Sequence, residues 1–425
     1  MSYPKSVRYL YALGNELKPG AKFGLQRIEI LVRTLGNPEA GQRFIHVAGT
    51  NGKGSTCAMI ANALRASGFR TGLFTSPHLI EPTERIQIDG EAVSEVQFTK
   101  AFEKVHACAE FLVNDNRLDA HPSYFETVTA MALLIFRERC EMAVMEVGLG
   151  GRLDATNVIA PELSVITQVS FDHEVYLGTT LEAIAGEKAG ILKPGVPLIL
   201  AKQPLAAEEV IVRRARDLGC TVIRAEDAQA EDVRLHAFGS EFVLDGTRFE
   251  CALPGAHQVG NATVAVLASR KLGLPDAAIQ DGLRTTVWPG RLERIRTKPD
   301  FILDGAHNPA GAAALATYIR AFYMDRPVWL VYGAMRDKAI EEITNLLFPL
   351  AQKVIVTAPD FARALRPEAI LQITNHPSAT TAANIAEAVY LANQAPEDTA
   401  VFFTGSLFLV AEARGLLSRK AQLVP

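Results

Sequence analysis

The sequence predicts an α/β protein whose larger domain contains a doubly wound, mostly parallel sheet. Short apolar runs alternate with amphipathic runs from Arg43 onward, which is typical of alternating strands and helices. A glycine-rich turn separates the first strand-like run from the first helix-like run. The alternation is interrupted at Trp288-Pro289-Gly290 and then restarts, which indicates a second, smaller α/β domain.

The periodicity of apolar residues predicts the elements of the first domain. Residues 44–48 form a short apolar run, and residues 55–67 carry apolar side chains at helical spacing before Gly68. A strand is therefore followed by a helix. The further predicted strands are 71–75, 143–147, 163–168 and 196–201. The further predicted helices are 126–137, 181–192 and 206–218.

A change of pattern marks the end of the first domain. Residues 233–253 form short β-like pieces around Asp245-Gly246, a hairpin signal that predicts a β appendage before a helix at 261–272. Strands then restart at 301–304, 328–332, 353–357 and 401–404. We therefore predict a first domain at 1–295 and a second at 296–425. A cleft between two such domains is a common place for small-molecule chemistry.

Composition excludes several classes of protein. The hydrophobic content of 48%, the charged content of 21% and the formal net charge of -4 describe a globular chain without the basic field that nucleic acid or anionic membrane would require. The five cysteines are widely spaced, which predicts reduced thiols rather than a zinc site. No signal-like start or apolar run of about 18 residues occurs. We expect a cytoplasmic monomer with small-molecule partners.

The glycine-rich loop has the features of a phosphate site. It lies between a predicted strand and a predicted helix, so its backbone N–H groups and the helix N-terminus suit an anion, and Lys53 adds a positive charge. The spacing from Gly49 to Lys53 is shorter than in the Walker A pattern, and a purely structural turn is the alternative. The predicted nucleotide-binding residues of this loop are Gly49, Thr50, Asn51, Gly52, Lys53, Gly54, Ser55 and Thr56.

This loop resembles the signature of the Mur ligase superfamily, in the form found in folylpolyglutamate and dihydrofolate synthases. Further sequence blocks resemble those of that family and occur in the same order, from about residue 22 to about residue 412. They are Thr75-Ser-Pro-His-Leu79, Glu84-Arg85-Ile86, Tyr124-Phe-Glu126, residues 146–157, Asp172-His173, residues 187–191, His257-Gln258 with Asn261, Pro289-Gly-Arg291 and residues 304–309. The resemblance implies a P-loop-type domain followed by a Rossmann-like domain.

The resemblance also implies a reaction. An ATP-dependent ligase would add L-glutamate to 7,8-dihydropteroate and to reduced folates. ATP would phosphorylate the substrate carboxylate, and the amine of glutamate would displace phosphate from the acyl phosphate. Such a route depends on neutralising charge at the γ-phosphate and on aligning the reactants. ATP and Mg²⁺, at two metal sites, are the expected cofactors.

Three residues are expected to bind magnesium. Glu146 ends an apolar predicted strand, and the carboxyl ends of parallel strands form the ligand-binding edge of a doubly wound sheet. A carboxylate oxygen there suits Mg²⁺. The resemblance adds Ser76 and His173 as ligands. Taken alone, His173 would more often be structural, because Mg²⁺ prefers oxygen.

Lys188 lies on the apolar face of a predicted helix, with Leu181, Ile184 and Ile191. A side chain that extends its amine to solvent is one explanation. The resemblance implies instead that Lys188 is carbamylated and helps to organise the second Mg²⁺. A desolvated lysine has a lowered pKa, which favours the free amine that carbamylation needs. The candidate catalytic residues are Lys53, His173, Lys188 and His307.

The resemblance places ATP across the domain boundary. Asn261 and Arg291 would contribute from the first domain, and Asp304 and His307 from the second. The guanidinium of Arg291 suits phosphate because it forms paired hydrogen bonds. His307 could instead cap the helix that follows it. We expect His307 and Ser406 to position the incoming glutamate.

The pterin-bearing substrate needs an aromatic-lined slot with a few polar anchors. Phe125 could equally belong to the core. The blocks that match the family at this slot supply Phe23, Gly24, Leu25, Ser123, Tyr124, Phe125, Glu126, Leu153, Asp154 and Ala155.

Three alternative functions are compatible with parts of the pattern. Polyglutamylation alone, without the dihydropteroate reaction, would use the same residues. A Mur-type peptide ligase would need a uridine-nucleotide domain, and the stretch of about 42 residues before the loop is shorter than an ordinary domain. A catalytically silent ATP-binding regulator would lack some of the metal or second-domain groups, whereas this chain has all of those named above.

Overall fold

The computed structural model describes residues 1–14, 24–374 and 376–421, with the side chains of the last three residues of this range excluded. The candidate substrate residue Phe23 lies outside the described residues. The chain divides into two compact units. The first comprises Met1–Glu231, Val243–Phe249 and Gly260–Thr286, and the second comprises Asp232–Phe242, Glu250–Val259 and Val287–Pro425. The division at 295/296 stays a prediction.

Most of the first unit is an α/β sheet with its helices. Its strands are β1 (Arg43–Ala48), β2 (Thr71–Phe74), β3 (Ile86–Ile88), β4 (Glu91–Ala92), β5 (Met142–Glu146), β6 (Leu163–Ile166), β7 (Leu198–Leu200) and β8 (Val222–Arg224). Its first eight helices are α1 (Tyr3–Ala12), α2 (Gln26–Thr34), α3 (Lys53–Ala66), α4 (Glu95–Asn114), α5 (Tyr124–Arg139), α6 (Glu174–Leu177), α7 (Leu181–Ala189) and α8 (Leu205–Asp217).

A small sheet and two more helices precede the second α/β region. The small sheet has the order β11-β10-β9 and consists of β9 (Glu231–His236), β10 (Gly239–Leu244) and β11 (Thr247–Cys251). It confirms the predicted hairpin, because Asp245 and Gly246 connect β10 to β11. The helices α9 (Ala256–Lys271) and α10 (Asp276–Arg284) follow.

The second unit contains its own mostly parallel sheet, with the order β12-β13-β17-β14-β15-β16. Its strands are β12 (Glu293–Thr297), β13 (Asp300–Leu303), β14 (Val328–Tyr332), β15 (Lys353–Val356), β16 (Ala379–Thr381) and β17 (Ala400–Thr404). Its helices are α11 (Pro309–Phe322), α12 (Ile340–Leu347), α13 (Pro367–Ile373), α14 (Ile385–Ala392) and α15 (Leu407–Ala421). Only β12 runs antiparallel to its neighbour in this sheet.

The strand order of the large sheet positions the candidate site. The order is β4-β3-β2-β5-β1-β6-β7-β8, and the six strands from β2 to β8 in this order run parallel. Val47 pairs with Glu146, so the last residue of β5 lies beside the end of β1. The carboxyl ends of β1, β2, β5 and β6 therefore meet at one edge, where doubly wound sheets bind ligands.

The helix α4 is an element that the sequence analysis did not predict. Ser94 and Gln97 form a capping box at its start: the Gln97 amide donates to Ser94 Oγ at 3.2 Å, and the Ser94 amide donates to Gln97 Oε1 at 2.8 Å. This Ser-x-x-Gln spacing is a recognised helix-start signal, so the sequence did contain the information. No helix in residues 1–14, 24–374 or 376–421 combines the length and apolar character needed to cross a bilayer.

Gly72 in β2 provides a test of the packing between sheet and helix. A Cβ at this position would lie 2.6 Å from Cδ1 of Phe136, which is fully buried on α5. Such overpacking costs typically about 1–3 kcal/mol, so Gly72→Ala should lower the free energy of unfolding by that amount. Urea denaturation followed by circular dichroism measures it.

The matched control is Gly186→Ala in α7, where an added Cβ meets nothing within 4 Å. Alanine is favoured over glycine in a helix by up to about 1 kcal/mol, so this variant should be as stable as the parent or more stable. A Gly72→Ala variant with parental stability would show that Phe136 moves without cost.

Candidate active site

The phosphate loop is held in place by the segment that follows β6. The backbone N–H groups of Thr50 and Asn51 both donate to the carbonyl of Gln168, at 2.9 and 3.1 Å. Thr50 Oγ1 also donates to the Ser170 carbonyl and accepts from the Ser170 amide, both at 3.1 Å. These two amides of the loop are therefore used within the protein. We infer that phosphate would be bound by the amides that follow, at the start of α3.

The N-cap residue of α3, Gly52, has no side chain with which to cap the helix. Gly52 occupies the N-cap position with φ of 86°, a left-handed conformation that suits glycine. The first N–H groups of a helix need acceptors from a capping side chain, water or a ligand. An anion at this point would supply them, and the positive end of the helix dipole would favour its charge.

Two lysines converge on one carbonyl oxygen of the loop. Lys53 Nζ donates to the carbonyls of Gly49 and Thr50, at 3.1 and 3.2 Å. Lys188 Nζ donates to the same Gly49 carbonyl at 2.8 Å. Lys188 is only 4% exposed. Its amine is thus buried against the phosphate loop and does not extend to solvent.

Burial, followed by the positive charge of Lys53, lowers the pKa of Lys188 to about 7. The carboxylates of Asp172, Asp154 and Glu187 oppose this shift. The free amine is therefore abundant near neutral pH, as the sequence analysis expected for a desolvated lysine.

Two of the three predicted metal ligands lie together. Glu146 is buried, and its Oε2 accepts the backbone N–H of Ser76 at 3.1 Å. His173 occupies the N-cap position of α6 with φ of 52°, and its amide donates to Asp172 Oδ1 at 2.9 Å.

The donor chemistry of this pair suits magnesium. A buried carboxylate and a serine hydroxyl are hard oxygen donors, which Mg²⁺ prefers. In the part of the chain that the structure describes, no group of three His, Cys, Asp or Glu side chains is arranged to bind a metal. The metal set of Ser76, Glu146 and His173 stays a prediction.

Asn261 lies against the phosphate loop. A Cβ at Gly52 would be 2.2 Å from Asn261 Oδ1, so the amide of Asn261 approaches the loop backbone directly. Asn261 is part of α9. The first unit therefore brings together the loop and a candidate nucleotide-binding residue that follows it by more than 200 positions in the sequence.

The candidate pterin residues on α5 are largely used to build the fold. Ser123 and Glu126 form a capping box, in which the Ser123 amide donates to Glu126 Oε2 at 2.7 Å and the Glu126 amide donates to Ser123 Oγ at 3.2 Å. Phe125 is buried and packs against Phe74 at a centroid distance of 5.7 Å. Tyr124 is stacked on Tyr11 at 5.9 Å.

The other candidate pterin residues adjoin helices and turns. Gly24 and Leu25 directly precede α2, Leu153 precedes Asp154, and Ala155 begins a short 3-10 helix. The Asp154 carboxylate accepts the backbone N–H groups of Gly148, Leu149 and Thr156 at 2.9 to 3.0 Å. Burial raises the pKa of Asp154, and these hydrogen bonds oppose the rise. Asp154 thus closes the turn after β5.

The second unit holds a separate group of candidate residues. Asp304 is buried and accepts the backbone N–H groups of Leu292 and Ala306, each at 3.0 Å. Burial raises its pKa, and Arg291 opposes this. His307 Nδ1 pairs with the Gly305 carbonyl at 2.7 Å.

The structure also answers whether His307 caps the following helix. Asn308, not His307, caps α11: Asn308 Oδ1 accepts the Gly311 amide at 2.8 Å. Ser406 lies at the start of α15, where its Oγ accepts the Phe408 amide at 3.1 Å. The His307 side chain is therefore not required for capping.

Comparison with known protein families shows which family this chain belongs to. Residues 47–269 match the Mur ligase middle domain, and residues 290–407 match the Mur ligase, glutamate ligase domain. The chain belongs to the Mur ligase family. It is an ATP-dependent ligase, and the predicted α/β fold class is confirmed.

Relatives within the Mur ligase family span almost the whole chain. A dihydrofolate synthase/folylpolyglutamate synthase of Bacillus subtilis is 34% identical over 94% of this chain and 96% of its own length. A folylpolyglutamate synthase of Lacticaseibacillus casei is 35% identical over 98% of this chain and 99% of its own length.

Solved structures of such enzymes are similar to this chain over almost its whole length. The Mycobacterium tuberculosis folylpolyglutamate synthase with ADP has a TM-score of 0.91 at 32% identity and 98% coverage of both chains. Escherichia coli FolC with DHPP and ADP has a TM-score of 0.86 at 28% identity, again with 98% coverage of both chains. This ligase therefore falls in the dihydrofolate synthase/folylpolyglutamate synthase group.

Gly52→Ala should weaken nucleotide binding. The added Cβ would meet Asn261 Oδ1 at 2.2 Å, and the left-handed backbone of residue 52 disfavours any side chain. The start of α3 must then shift away from its anion-binding geometry, so we expect a loss of affinity for ADP of at least about tenfold, the equivalent of one charged hydrogen bond. Isothermal titration calorimetry measures it.

Gly68→Ala is the matched control for this loop variant. Gly68 has φ of 91° at the other end of α3, and an added Cβ meets nothing within 4 Å. It should reduce stability through backbone strain while leaving ADP affinity intact. Equal ADP affinity in the Gly52→Ala protein and the parent would contradict the assignment of this loop.

Lys188→Met should change how stability depends on pH. The folded-state pKa is about 7 against an ordinary value of 10.5, so between these values the unfolded state binds more protons than the folded state. The stability of the parent should therefore rise with pH across this window. Methionine removes this dependence, so the variant should gain more relative to the parent at pH 7 than at pH 10.

Urea unfolding at both pH values, in buffers free of bicarbonate, measures the difference. Lys100→Met on the exposed surface of α4 is the control, and should change the two free energies alike. A Lys188→Met effect that is the same at pH 7 and pH 10 would argue against a desolvated amine.

Proposed function

We propose that this ligase adds L-glutamate to 7,8-dihydropteroate, forming dihydrofolate, and to tetrahydrofolates, extending a γ-linked glutamate tail. The observation that carries the proposal is the convergence of Lys53 and Lys188 on the Gly49 carbonyl, at the sheet edge that also holds Glu146. Relatives that match over nearly the whole chain are named dihydrofolate synthase/folylpolyglutamate synthase. Their names support the choice of substrates.

The chain's own groups suit transfer of a phosphoryl group from ATP to a carboxylate. The N-terminus of α3 and the ammonium of Lys53 would bind the phosphates of ATP. Neutralising that charge lets the substrate carboxylate approach the γ-phosphate, and the acyl phosphate that forms is then attacked by the glutamate amine. Mg²⁺ bound by Ser76, Glu146 and His173 would supply further charge neutralisation at the transferred group.

The second metal site depends on the modification of Lys188. Its neutral amine would react with carbon dioxide to give a carbamate and release a proton, which replaces a cation by a carboxylate-like ligand. The lowered pKa and the burial of Lys188 support this step. The carbamate nitrogen would keep one N–H group, which could still donate to the Gly49 carbonyl.

The remaining assignments are proposed on the same basis. ATP would also contact Asn261, Arg291 and Asp304, and His307 and Ser406 would position glutamate. Assignment of the pterin site to residues 1–295, of the glutamate side to residues 296–425, and of the enzyme to the cytoplasm as a monomer follows the sequence analysis.

Polyglutamylation alone is the second candidate function. The Lacticaseibacillus casei relative is named folylpolyglutamate synthase only, and its 35% identity to this chain is close to the 34% of the Bacillus subtilis relative. The two functions differ in one acceptor, dihydropteroate. An assay of turnover with dihydropteroate as the acceptor therefore separates them.

Phosphate release with Mg·ATP and L-glutamate tests the proposal. Purified protein is compared with 7,8-dihydropteroate, tetrahydrofolate and a uridine-nucleotide muropeptide as acceptors, and the products are identified by mass. We expect turnover with both pterins and none with the muropeptide. Lys53→Met should abolish turnover with either pterin, because it removes the positive charge at the phosphates.

The outcomes separate the alternatives. Turnover with tetrahydrofolate alone would leave only polyglutamylation. Turnover with the muropeptide would favour a Mur-type peptide ligase. Nucleotide binding without turnover of any acceptor would favour the alternative of a catalytically silent ATP-binding regulator.

A further inference from the structure

A chain of hydrogen bonds joins β1 to the turn that follows β5. His46 lies on β1, and its Nε2 pairs with Thr156 Oγ1 at 2.9 Å. The Thr156 hydroxyl donates to Oδ1 of Asp154. All three side chains are buried. Because β1 runs directly into the phosphate loop, this chain connects the strand that carries the loop with the turn that Asp154 closes.

The Asp154 carboxylate fixes the direction of each hydrogen bond in this chain. Its two oxygens accept four hydrogen bonds, from the backbone N–H groups of Gly148, Leu149 and Thr156 and from the Thr156 hydroxyl. An ionised carboxylate offers about four acceptor positions, so all of them are filled. The Thr156 hydroxyl therefore uses its only hydrogen on Asp154. Its oxygen can then only accept from His46, which requires a hydrogen on Nε2.

Burial keeps His46 in the neutral form. Removal from water, together with the positive charge of Lys193, lowers the pKa of His46 to about 3. A neutral imidazole carries one hydrogen, so a hydrogen on Nε2 leaves Nδ1 as an acceptor. At neutral pH His46 is therefore a fixed donor to Thr156.

Ser164 is placed to hold His46 in this tautomer. In the register between β1 and β6, His46 lies beside Ser164, and side chains at paired positions of neighbouring strands emerge on the same face of the sheet. His46 Nδ1 and Ser164 Oγ are both buried, and neither has a hydrogen-bond partner among the described residues. The nitrogen needs a donor and the hydroxyl offers one. A rotation of the serine side chain or one buried water would join them.

We propose that His46 is a positioning residue for the acceptor side of the active site. It holds Thr156 as the donor that orients Asp154, and with it the block at residues 153–155 that the sequence analysis assigned to the pterin substrate. The inference rests on the proposed function. Without the N–H group of His46, the Thr156 hydroxyl would be free to rotate, and Asp154 would lose one of its donors. A substrate site is precise only when hydrogen bonds behind it lock its groups in place.

The phosphate loop is held by different hydrogen bonds. The backbone N–H groups of Thr50 and Asn51 donate to the Gln168 carbonyl, and the Ser170 amide donates to Thr50 Oγ1. None of these bonds involves the chain that begins at His46. Breaking that chain should therefore weaken binding of the acceptor and leave binding of the nucleotide intact.

The test uses two pairs of substitutions, one at each end of the chain. Thr156→Val removes the hydroxyl with little change of shape, and Thr156→Ser keeps it. His46→Met removes the donor, and His46→Gln keeps an N–H donor near the position of Nε2. For each variant, kcat, the KM for tetrahydrofolate and the KM for ATP are measured, together with the unfolding midpoint.

Thr156→Val and His46→Met should raise the KM for tetrahydrofolate by at least about tenfold, the effect of one hydrogen bond to a charged group. The KM for ATP should stay at the parental value. Thr156→Ser and His46→Gln should recover most of the loss, because each restores the missing hydrogen-bonding group.

Thr71→Val is the matched control. Thr71 is a buried threonine of the same unit at the amino end of β2, and its hydroxyl donates to the Phe69 carbonyl at 2.9 Å. Its substitution should lower the unfolding midpoint and leave both KM values at the parental level. Should His46→Met not fold, the valine and serine variants of Thr156 decide, because they differ from the parent by single groups.

Nitrogen chemical shifts of the His46 imidazole give a measurement on the parent itself, with the signals assigned by their loss in His46→Gln. We expect a neutral ring with its hydrogen on Nε2 at pH 7. A hydrogen on Nδ1 or a charged ring would overturn the inference.

The kinetic outcomes are equally decisive. A parental KM for tetrahydrofolate in Thr156→Val or His46→Met would refute the positioning role. Equal rises of both KM values would do the same, because a general loosening of the fold produces them. Failure of the proposed function looks different, since the parent itself would then turn over neither pterin.

Discussion

The hydrogen bonds on the Gly49 carbonyl are the interaction on which the rest of the site depends. Lys53 and Lys188 both donate to this oxygen. Burial and the nearby positive charge of Lys53 together lower the pKa of Lys188. The residue that follows β1 thereby gathers one lysine suited to the phosphates and a second whose free amine is available for further chemistry.

Much of the fold could be predicted because the large sheet has simple patterns. Strands such as β1 and β5 are continuous apolar runs, as expected for strands covered on both faces. The predicted strand at 163–168 was two residues too long, and the physical reason is that Gln168 no longer pairs in the sheet but accepts the amides of Thr50 and Asn51. The helix α4 was missed although Ser94 and Gln97 marked its start.

The site could be predicted only in part, because a sequence motif does not reveal what each polar atom contacts. The loop, Lys188 and Asn261 lie together as the family blocks indicated. Asp154 and the pair Ser123 and Glu126 were assigned to substrate, yet their polar atoms hold a turn and a helix start.

The bonds from Thr50 and Asn51 to Gln168 hold the first half of the phosphate loop in place without a nucleotide. A loop that is already ordered loses little conformational entropy when its ligand binds. Substitutions outside the loop can then change the affinity for nucleotide. Changes at Gln168 or Ser170, which lie outside the loop and bond Thr50 and Asn51, would alter affinity by loosening the loop. The nucleotide site therefore depends on residues outside the loop itself.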